Sequence, residues 1–274
     1  MDTLTINPLT EHVGAEVIGV DVDRLLNDEA LPGQINELLE ERGVLVFPKL
    51  SPDPESQLAI CHRLGEVDMG QGIMIVSLDE TKTHQAIHLR GAFMWHMDGV
   101  TLREGQHPQK ATFLTAVALS DEGGETEFAS TYAAYDALTD EEKERFENLR
   151  VIHNLSVIER RVTENPTPEQ EEAWSKCWDR EHPLVWTRRS GRKSLLVPMS
   201  ADYIVGMDRA EGRALLEDLT RRSTTPDLVY RHHWSVGDTV LWDNRGALHR
   251  VEPYAADSGR EMIRTTFVGD EAIQ

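Results

Sequence analysis

The segment "FMWHMDGV" (residues 93–100) places a histidine and an aspartate two residues apart among apolar residues. We predict an extended strand here, in which successive side chains point to opposite faces, so that His96 and Asp98 share one face. Imidazole nitrogens and carboxylate oxygens both bind transition metals. Because the chain has 11 histidines, one such pair is weak evidence, and a metal site needs a third ligand.

The best candidate for the third ligand is His249, in "LWDNRGALHRV". It follows a strand-like run and a polar turn, "DNRG", which would bring the chain back over the sheet. Two histidines and one carboxylate, with coordination positions left open, are typical of non-haem Fe(II) oxygenases. Zinc more often recruits Cys or a third His. The combination therefore predicts an open ferrous site and oxygen chemistry.

Such an iron commonly needs an electron-donating cosubstrate, and a dianionic cosubstrate requires fixed positive charge nearby. Arg260 and Arg264 lie four residues apart in "GREMIRTTF", so in a strand they share a face. A guanidinium binds a carboxylate through two parallel N–H groups and keeps its charge. Thr126, in "EGGETEF", would add a hydroxyl donor beside a double glycine.

Each of these residues also has an ordinary structural interpretation. His96 and Asp98 would form a simple hydrogen-bonded pair, and His249 would be a surface histidine paired with Glu252. The arginines would be solvated strand residues that face acidic neighbours. The metal-site hypothesis therefore depends on the whole combination.

Local patterns predict a mainly β fold with flanking helices. Helical spacing and a following glycine predict helices over 31–42 and in "PESQLAICHRLG", and Thr139 with Glu142 forms a capping-box pattern. We also predict helices over 166–178, with Trp174 and Trp178 on one stripe, and in "MDRAEGRALLEDLTRR". Strands are predicted in "VLVFP", "GIMIVSL", "ATFLTAVAL", "HPLVWT", "KSLLVP", "LVYRHHW", "DTVLWD" and "EMIRTTFV". Short strands without regular strand–helix alternation favour a barrel or jelly roll.

Length and composition limit the function classes. A chain of 274 residues is long enough for one large core, and we expect a single domain over 1–274. The net charge of −20 disfavours nucleic acid and anionic membranes as partners. Only Cys61 and Cys177 are present, and neither a basic leader nor a membrane-length apolar run appears, so we expect a cytoplasmic protein with a small-molecule substrate.

The chain resembles the taurine and 2,4-dichlorophenoxyacetate dioxygenases, a family that depends on Fe(II) and 2-oxoglutarate. The matching motifs are "WHMD", "GGET" and "WDNRGALHR", followed by arginines 11 and 15 residues after the last histidine (249 to 260 and 264). The likeness extends to "GAEVIGVD", "GVLVFP" and "HPLVWTRRSGRKSLLV", and so to nearly the full length. It implies a distorted double-stranded β-helix, the cupin-like jelly roll.

The resemblance implies three iron ligands: His96, Asp98 and His249. Thr126 and Arg260 would hold the distal carboxylate of 2-oxoglutarate, while Arg264 would contact its inner carboxylate and an acidic group of the substrate. The implied reaction consumes O2, converts 2-oxoglutarate to succinate and CO2, and hydroxylates or oxidatively cleaves the substrate. Asp98 favours hydroxylation, because related halogenases carry a small residue at the carboxylate position.

The resemblance also argues against taurine as the substrate. The taurine enzyme grips sulfonate with a histidine and an asparagine, but "VDMGQGIMIV" has no histidine and Ala92 stands at the asparagine position. Leu155 and Leu196 align with its pocket phenylalanines. We expect a small to medium, fairly apolar, acidic substrate such as an aryloxyalkanoate or alkyl sulfate ester. The predicted pocket residues are Arg264, Met74, Phe93, Met94, Leu155, Met199 and Tyr203.

Two other function classes stay open at this point. A non-catalytic jelly-roll protein would bind ferrous ion without consuming 2-oxoglutarate, and a hydrolytic or isomerising cupin metalloenzyme would act without oxygen. Neither accounts for the paired arginines. We further expect a mobile lid over 77–91 and 98–110, with His84, His88 and His107 near the mouth, and a homo-oligomer, dimer or tetramer.

Overall fold

A computed structural model of the chain describes residues 4–83 and 91–274. Within this part, the strands are β1 (Thr5–Pro8), β2 (Ala15–Ile18), β3 (Val44–Phe47), β4 (Ile73–Val76), β5 (Ala111–Ala118), β6 (Thr126–Ser130), β7 (Arg150–His153), β8 (Arg180–Pro183), β9 (Val185–Thr187), β10 (Lys193–Leu195), β11 (Ala201–Ile204), β12 (Val229–His232), β13 (Thr239–Asp243), β14 (Ala247–Val251) and β15 (Glu261–Thr266). The helices are α1 (Val22–Asn27), α2 (Leu31–Arg42), α3 (Pro54–Leu64), α4 (Thr131–Asp136), α5 (Asp140–Phe146), α6 (Leu155–Val162), α7 (Pro168–Trp174) and α8 (Arg209–Ser223).

The strands form one large sheet and three small ones, which confirms the predicted jelly roll with flanking helices. The large sheet has seven strands in the order β1-β2-β3-β13-β5-β15-β4. A three-stranded sheet, β12-β6-β14, lies opposite it and supplies Phe128, whose ring centroid is 5.5 Å from that of Trp242 on β13. The remaining sheets are β11-β7-β8 and β10-β9. The space between the first two sheets is where the candidate site lies.

Alternation along the strands gives the large sheet two different faces. On β13, Val240 and Trp242 belong to the core between the sheets, whereas Leu241 packs with α1, α2 and α3 on the outer face. On β15, Met262 faces inward, so Arg264, two residues later, shares that inner face. The sheet therefore carries an arginine into the inter-sheet space while its other face buries an apolar helix layer.

Most predicted elements have the expected type. Helix α2 ends at Gly43, which has a left-handed φ of 71°, and α5 carries the predicted capping box between Thr139 and Glu142. No helix in residues 4–83 or 91–274 combines the length and the apolar composition that crossing a membrane requires.

Two sequence predictions are wrong. Residues 93–100 do not form a strand, because only His96 makes a ladder contact, an isolated antiparallel bridge to His249, and Asp98 already lies in a turn. Gly99 forces this departure: its φ is +83°, and a Cβ there would lie 2.7 Å from the backbone nitrogen of Gln109. The predicted helix over 166–178 ends at Trp174, so Trp178 is outside the helix and does not form a stripe with it.

The "DNRG" turn carries the chain from β13 in the large sheet to β14 in the small one, as predicted. Asp243 accepts hydrogen bonds from the backbone N–H of Arg245 (2.9 Å) and from its guanidinium (2.8 Å). Arg245 also reaches Glu40 at 3.1 Å. The ring of buried Tyr132 lies against Gly246, where a Cβ would come 1.9 Å from ring carbon Cε2. Close packing at Gly246 therefore fixes the start of the strand that carries His249.

This contact predicts that Gly246→Ala destabilises the fold. The added methyl group would overlap the Tyr132 ring, which is buried and cannot move away freely, so we expect a loss of about 2 kcal/mol in the free energy of unfolding. Gly33→Ala is the control, because Gly33 lies in α2 with no atom within 4 Å of its Cβ position. The control should stabilise the protein by about 0.5 kcal/mol. Urea unfolding measures both, and equal stability of the two variants would contradict the prediction.

Candidate metal centre

Three side chains converge between the sheets: His96, Asp98 and His249. One ligand atom from each lies within 4.8 Å of the others. The Nε2 atoms of His96 and His249 are 3.9 Å and 3.8 Å from the two oxygens of Asp98, and the imidazole centroids are 4.0 Å apart. These side chains are 17%, 14% and 7% exposed, so the cluster is largely buried yet reachable. The structure brings these three predicted residues together.

The two histidines are joined through their backbones. Each donates its N–H to the carbonyl of the other, at 3.0 Å and 2.9 Å. The Nδ1–H of His96 also donates to the carbonyl of Met94 at 2.8 Å, which leaves its Nε2 lone pair facing Asp98. This pair of backbone hydrogen bonds, and not the predicted strand, therefore brings the ligand atoms of His96 and His249 close together.

His249 is held by rings on both sides of the inter-sheet space. Its imidazole centroid lies 4.9 Å from Trp242 and 6.3 Å from Phe128. Burial, followed by the neighbouring His96, lowers the pKa of His249 well below its usual value. Burial also lowers the pKa of His96, against the opposing charge of Asp98. Both imidazoles are therefore neutral at pH 7, the form that binds metal ions.

Asp98 stays ionised because cations and imidazoles surround it. Burial alone would raise the pKa of this carboxyl group, but Arg264 above all, with His249 and His96, holds the pKa at about 2. The Nη2 of Arg264 donates to Oδ2 of Asp98 at 2.5 Å, and its Nε donates to Thr266 at 3.2 Å. Two neutral imidazoles and one carboxylate form a ligand set suited to ferrous iron.

A second polar group lies around Gly124. Arg260 is buried and donates from Nη2 to the carbonyl of Gly124 at 3.1 Å, and its guanidinium lies 4.7 Å from the ring centroid of Tyr254. Its Nε is buried and has no hydrogen-bond partner among the described residues. A Cβ at Gly124 would lie 2.8 Å from that Nε, so this approach requires glycine. Arg260 thus retains an N–H for a buried anion.

Thr126 lies two residues beyond Gly124, at the start of β6, and is buried. Its Oγ1 accepts a hydrogen bond from Nε1 of Trp234 at 3.0 Å. Because that bond uses an oxygen lone pair, the Thr126 hydroxyl proton is available to donate. Thr126 and Arg260 therefore each retain a hydrogen-bond donor of the kind that binds a carboxylate.

Three of the predicted pocket residues line two adjoining cavities. Met94 and Met199 line one of about 300 Å³, and Phe93 and Met94 line a wider groove of about 830 Å³ with Tyr254. Met74 is paired with Arg264 across β4 and β15. The other four predicted pocket residues are not among those that line either cavity. Besides Met74 and Arg264, these are Leu155, which is 44% exposed at the start of α6, and Tyr203, whose ring is covered by Arg209, 3.9 Å away. Residues 84–90, part of the expected lid with His84 and His88, lie outside the described residues.

Sequence reasoning missed two side chains that hold the Asp98 turn. The Nε2 of buried His182 donates to the carbonyl of Val100 at 2.9 Å, and Nε1 of Trp178 donates to the carbonyl of Thr101 at 2.9 Å. Both follow α7, some eighty positions after the turn, and no spacing pattern connects them with it. Only the folded arrangement shows that they fix the backbone next to a ligand.

The taurine catabolism dioxygenase family (TauD, TfdA) matches residues 5–266. The chain is 32% identical over 293 residues to the alpha-ketoglutarate-dependent 2,4-dichlorophenoxyacetate dioxygenase of Cupriavidus pinatubonensis, covering 99% of this chain and 100% of that protein. It is 31% identical over 292 residues to the (S)-phenoxypropionate/alpha-ketoglutarate-dioxygenase of Sphingobium herbicidovorans, covering 98% and 96%. The crystal structure of AAD-2 in complex with Mn(II) and N-oxalylglycine matches with a TM-score of 0.84 at 31% identity, covering 99% of this chain and 100% of that one.

The geometry predicts that Asp98→Ala weakens Mn(II) binding at least about 100-fold. Loss of a residue that only hydrogen-bonds to a metal ligand already lowers metal affinity about 10- to 100-fold, and Asp98 is itself a candidate ligand. Asp121→Ala, which removes an exposed carboxylate elsewhere, is the charge-matched control and should bind Mn(II) like the wild type. Calorimetric titration measures the affinities. In the wild type, affinity should fall as acidification protonates His96 and His249, whose pKa values are lowered by burial, so the loss should come at a lower pH than for ordinary histidines. Undiminished binding by Asp98→Ala would contradict the assignment.

His182→Phe should weaken Mn(II) binding by roughly 10-fold, because the ring is retained while the hydrogen bond that holds the Asp98 turn is lost. His182→Gln keeps an N–H donor and should recover part of the affinity. His232→Phe is the matched control: it is also buried, but its ring nitrogens lie beside Tyr230 and Asp238 and not beside the turn. Equal losses for the His182→Phe and His232→Phe variants would indicate a general effect on stability.

Proposed function

The chain belongs to the taurine catabolism dioxygenase family (TauD, TfdA) and is a dioxygenase that depends on Fe(II), 2-oxoglutarate and O2; we propose that it hydroxylates an apolar organic acid of the aryloxyalkanoate class. The observation that carries the proposal is a buried two-histidine, one-carboxylate cluster beside a buried arginine with a free N–H. The alternatives of a non-catalytic metal-binding protein and an oxygen-independent cupin enzyme are not supported.

His96, Asp98 and His249 hold the ferrous ion in this proposal. The neutral imidazoles and the ionised carboxylate require no proton loss at pH 7 before binding. Arg264 fixes the orientation of Asp98 through its hydrogen bond to Oδ2. When bound, the ion supplies the activation of O2 that oxidises both 2-oxoglutarate and the substrate.

Arg260 and Thr126 bind the distal carboxylate of 2-oxoglutarate. The free Nε–H of Arg260 and the Thr126 hydroxyl both donate, which suits a carboxylate because it only accepts. The stack on Tyr254 and the bond to the Gly124 carbonyl hold the guanidinium in place before the cosubstrate arrives. Arg264, closer to Asp98, is positioned to contact the inner carboxylate.

The substrate assignment has two supports. The relatives from Cupriavidus pinatubonensis and Sphingobium herbicidovorans carry the names of 2,4-dichlorophenoxyacetate and (S)-phenoxypropionate dioxygenases, and both align over nearly their whole lengths. Phe93, Met94 and Met199 supply an apolar wall beside the His96 segment. Taurine, small and polar, is not favoured by such a wall.

A single domain, a homo-oligomeric state and a cytoplasmic location stay predictions, as does the absence of a nucleic-acid partner. The site itself takes a small-molecule substrate.

The proposal predicts that Arg260→Ala weakens 2-oxoglutarate binding at least tenfold, because a buried carboxylate would lose its charged hydrogen-bond partner, a loss of about 1.5 kcal/mol or more. Anaerobic addition of Fe(II) and 2-oxoglutarate to the wild type should give a weak visible charge-transfer band, and its titration measures the affinity. Arg150→Ala is the control, since Arg150 pairs with Glu181 in the β11-β7-β8 sheet, which carries none of the proposed cosubstrate residues. No band in the wild type, under conditions where iron is shown to bind, would overturn the proposed function.

A further inference from the structure

The small sheet presents a row of polar and aromatic side chains to the space between the sheets. On β12, alternation places Tyr230 and His232 on one face, and Trp234 follows two residues beyond His232. His232 lies directly opposite Thr126 of β6, so these two side chains point to the same side of the sheet. The rings of Tyr230 and Trp234 pack against the core between the sheets. This face of β12 therefore borders Thr126, a residue of the proposed cosubstrate site.

Trp234 determines how the Thr126 hydroxyl can form hydrogen bonds. Its Nε1–H donates to Oγ1 of Thr126 at 3.0 Å. Because an indole N–H can only donate, the hydroxyl oxygen must be the acceptor, and the single hydroxyl proton remains for another partner. Within residues 4–83 and 91–274, the Thr126 hydroxyl donates to no other side chain or carbonyl. The bond from the indole also polarises the hydroxyl, which makes its O–H a stronger donor.

Trp234 is itself held in place by neighbouring side chains. The ring of His232 meets it edge to face, with the ring centroids 4.5 Å apart. Buried His232 lies between the hydroxyl of Tyr230, 2.8 Å from its Nδ1, and Asp238, whose Oδ2 is 3.4 Å from its Nε2. Asp238 also accepts the backbone N–H of Ser235, the residue after Trp234, at 2.9 Å. Protein contacts alone therefore orient the indole, and no ligand is needed to keep it there.

The two groups proposed to bind the distal carboxylate differ in how firmly their donor role is set. A carboxylate only accepts hydrogen bonds, so every group that faces it must donate. Arg260 meets this requirement by its chemistry, because a guanidinium carries N–H groups and no acceptor. Thr126 does not, since a hydroxyl can also accept, and oxygen lone pairs turned toward a carboxylate would repel it. The bond from Trp234 restricts the hydroxyl so that its proton points away from the indole.

We propose that Trp234 is a positioning residue for the cosubstrate: its indole N–H keeps the Thr126 hydroxyl in the donating orientation that the distal carboxylate of 2-oxoglutarate requires. Trp234 acts through Thr126 and does not have to touch the cosubstrate. This inference rests on the proposed function, and it extends the cosubstrate site beyond Thr126 and Arg260 to the residues that follow β12.

The test is a double-mutant cycle on the affinity for 2-oxoglutarate, measured with the full chain by anaerobic titration of the visible band in the presence of Fe(II). Trp234→Phe keeps an aromatic ring but removes the N–H, and it should raise the Kd about fivefold. Thr126→Val removes a donor to a charged group and should raise the Kd at least about tenfold. When Thr126→Val is already present, Trp234→Phe should change the Kd by less than about twofold, because its effect passes through the hydroxyl.

Two further variants separate positioning of the hydroxyl from structural damage. Thr126→Ser keeps a hydroxyl, so it should bind 2-oxoglutarate nearly as the wild type does and should restore the sensitivity to Trp234→Phe. Trp186→Phe is the matched control: it removes a buried indole N–H on β9 that has no hydrogen-bond partner among the described residues, and it should leave the Kd unchanged. Affinity for Mn(II) should stay within about twofold of the wild type in every variant, since none of them alters a candidate metal ligand.

A spectroscopic measurement keeps the inference testable if Trp234→Phe does not fold. Proton–nitrogen correlation NMR of protein loaded with diamagnetic Zn(II) observes the indole N–H groups of the six tryptophans. Thr126→Val should shift one indole resonance, because it removes the acceptor of Trp234. In the wild type, N-oxalylglycine, an analogue of 2-oxoglutarate, should shift the same resonance.

The inference is overturned if Trp234→Phe binds 2-oxoglutarate as tightly as the wild type, if it weakens binding by the same factor with and without Thr126→Val, or if no indole resonance responds to Thr126→Val. In each of these cases the wild type still gives the band, so the proposed function stands. The proposed function fails when the wild type gives no band under conditions where iron is shown to bind, and that result overturns the inference with it.

Discussion

The architecture around the site depends on keeping one carboxylate charged in the interior. Moving an ionised carboxylate out of water costs several kcal/mol unless cations or donors compensate. Around Asp98, Arg264 supplies the compensating charge, and the two imidazoles lie within 4 Å of its oxygens. The result is a low pKa for Asp98 together with lowered pKa values for both histidines. Asp98 is thus held ionised mainly by Arg264, while burial keeps both histidines neutral against the charge of Asp98.

This arrangement needs three chain segments to meet with little freedom. His249 enters from the small sheet, Arg264 from the inner face of the large sheet, and Asp98 from a turn that belongs to neither. The two sheets fix the first two by strand pairing. The turn has no ladder of its own, so it relies on the His96–His249 bridge and on hydrogen bonds from His182 and Trp178. Asp98 is the candidate ligand that lies outside regular secondary structure, and long-range hydrogen bonds therefore position its backbone.

The sequence was sufficient for the parts of the fold and site that local patterns encode. Periodicity and capping predicted α2 and α5, and alternation predicted that Arg264 faces the site. Sequence-based prediction failed where tertiary contacts override local preference. The apolar "FMWHM" run favours a strand, but Gly99 has a positive φ and packs against Pro108, so the chain turns there and the strand does not form. Helix α6 was not predicted, although its polar and apolar residues are segregated at helical spacing, because it has only eight residues.

The net charge of −20 and an anionic substrate are compatible, because the two act over different distances. At physiological ionic strength the Debye length is about 8 Å, so remote carboxylates are largely screened while a cation in direct contact is not. In an acidic chain, most arginines acquire a carboxylate partner, as Arg160, Arg213 and Arg221 do. Arg260 differs from these arginines, because it is buried against Gly124 and Tyr254 and has no carboxylate partner within 4 Å among the described residues. Its charge therefore remains available to an anion such as the proposed cosubstrate.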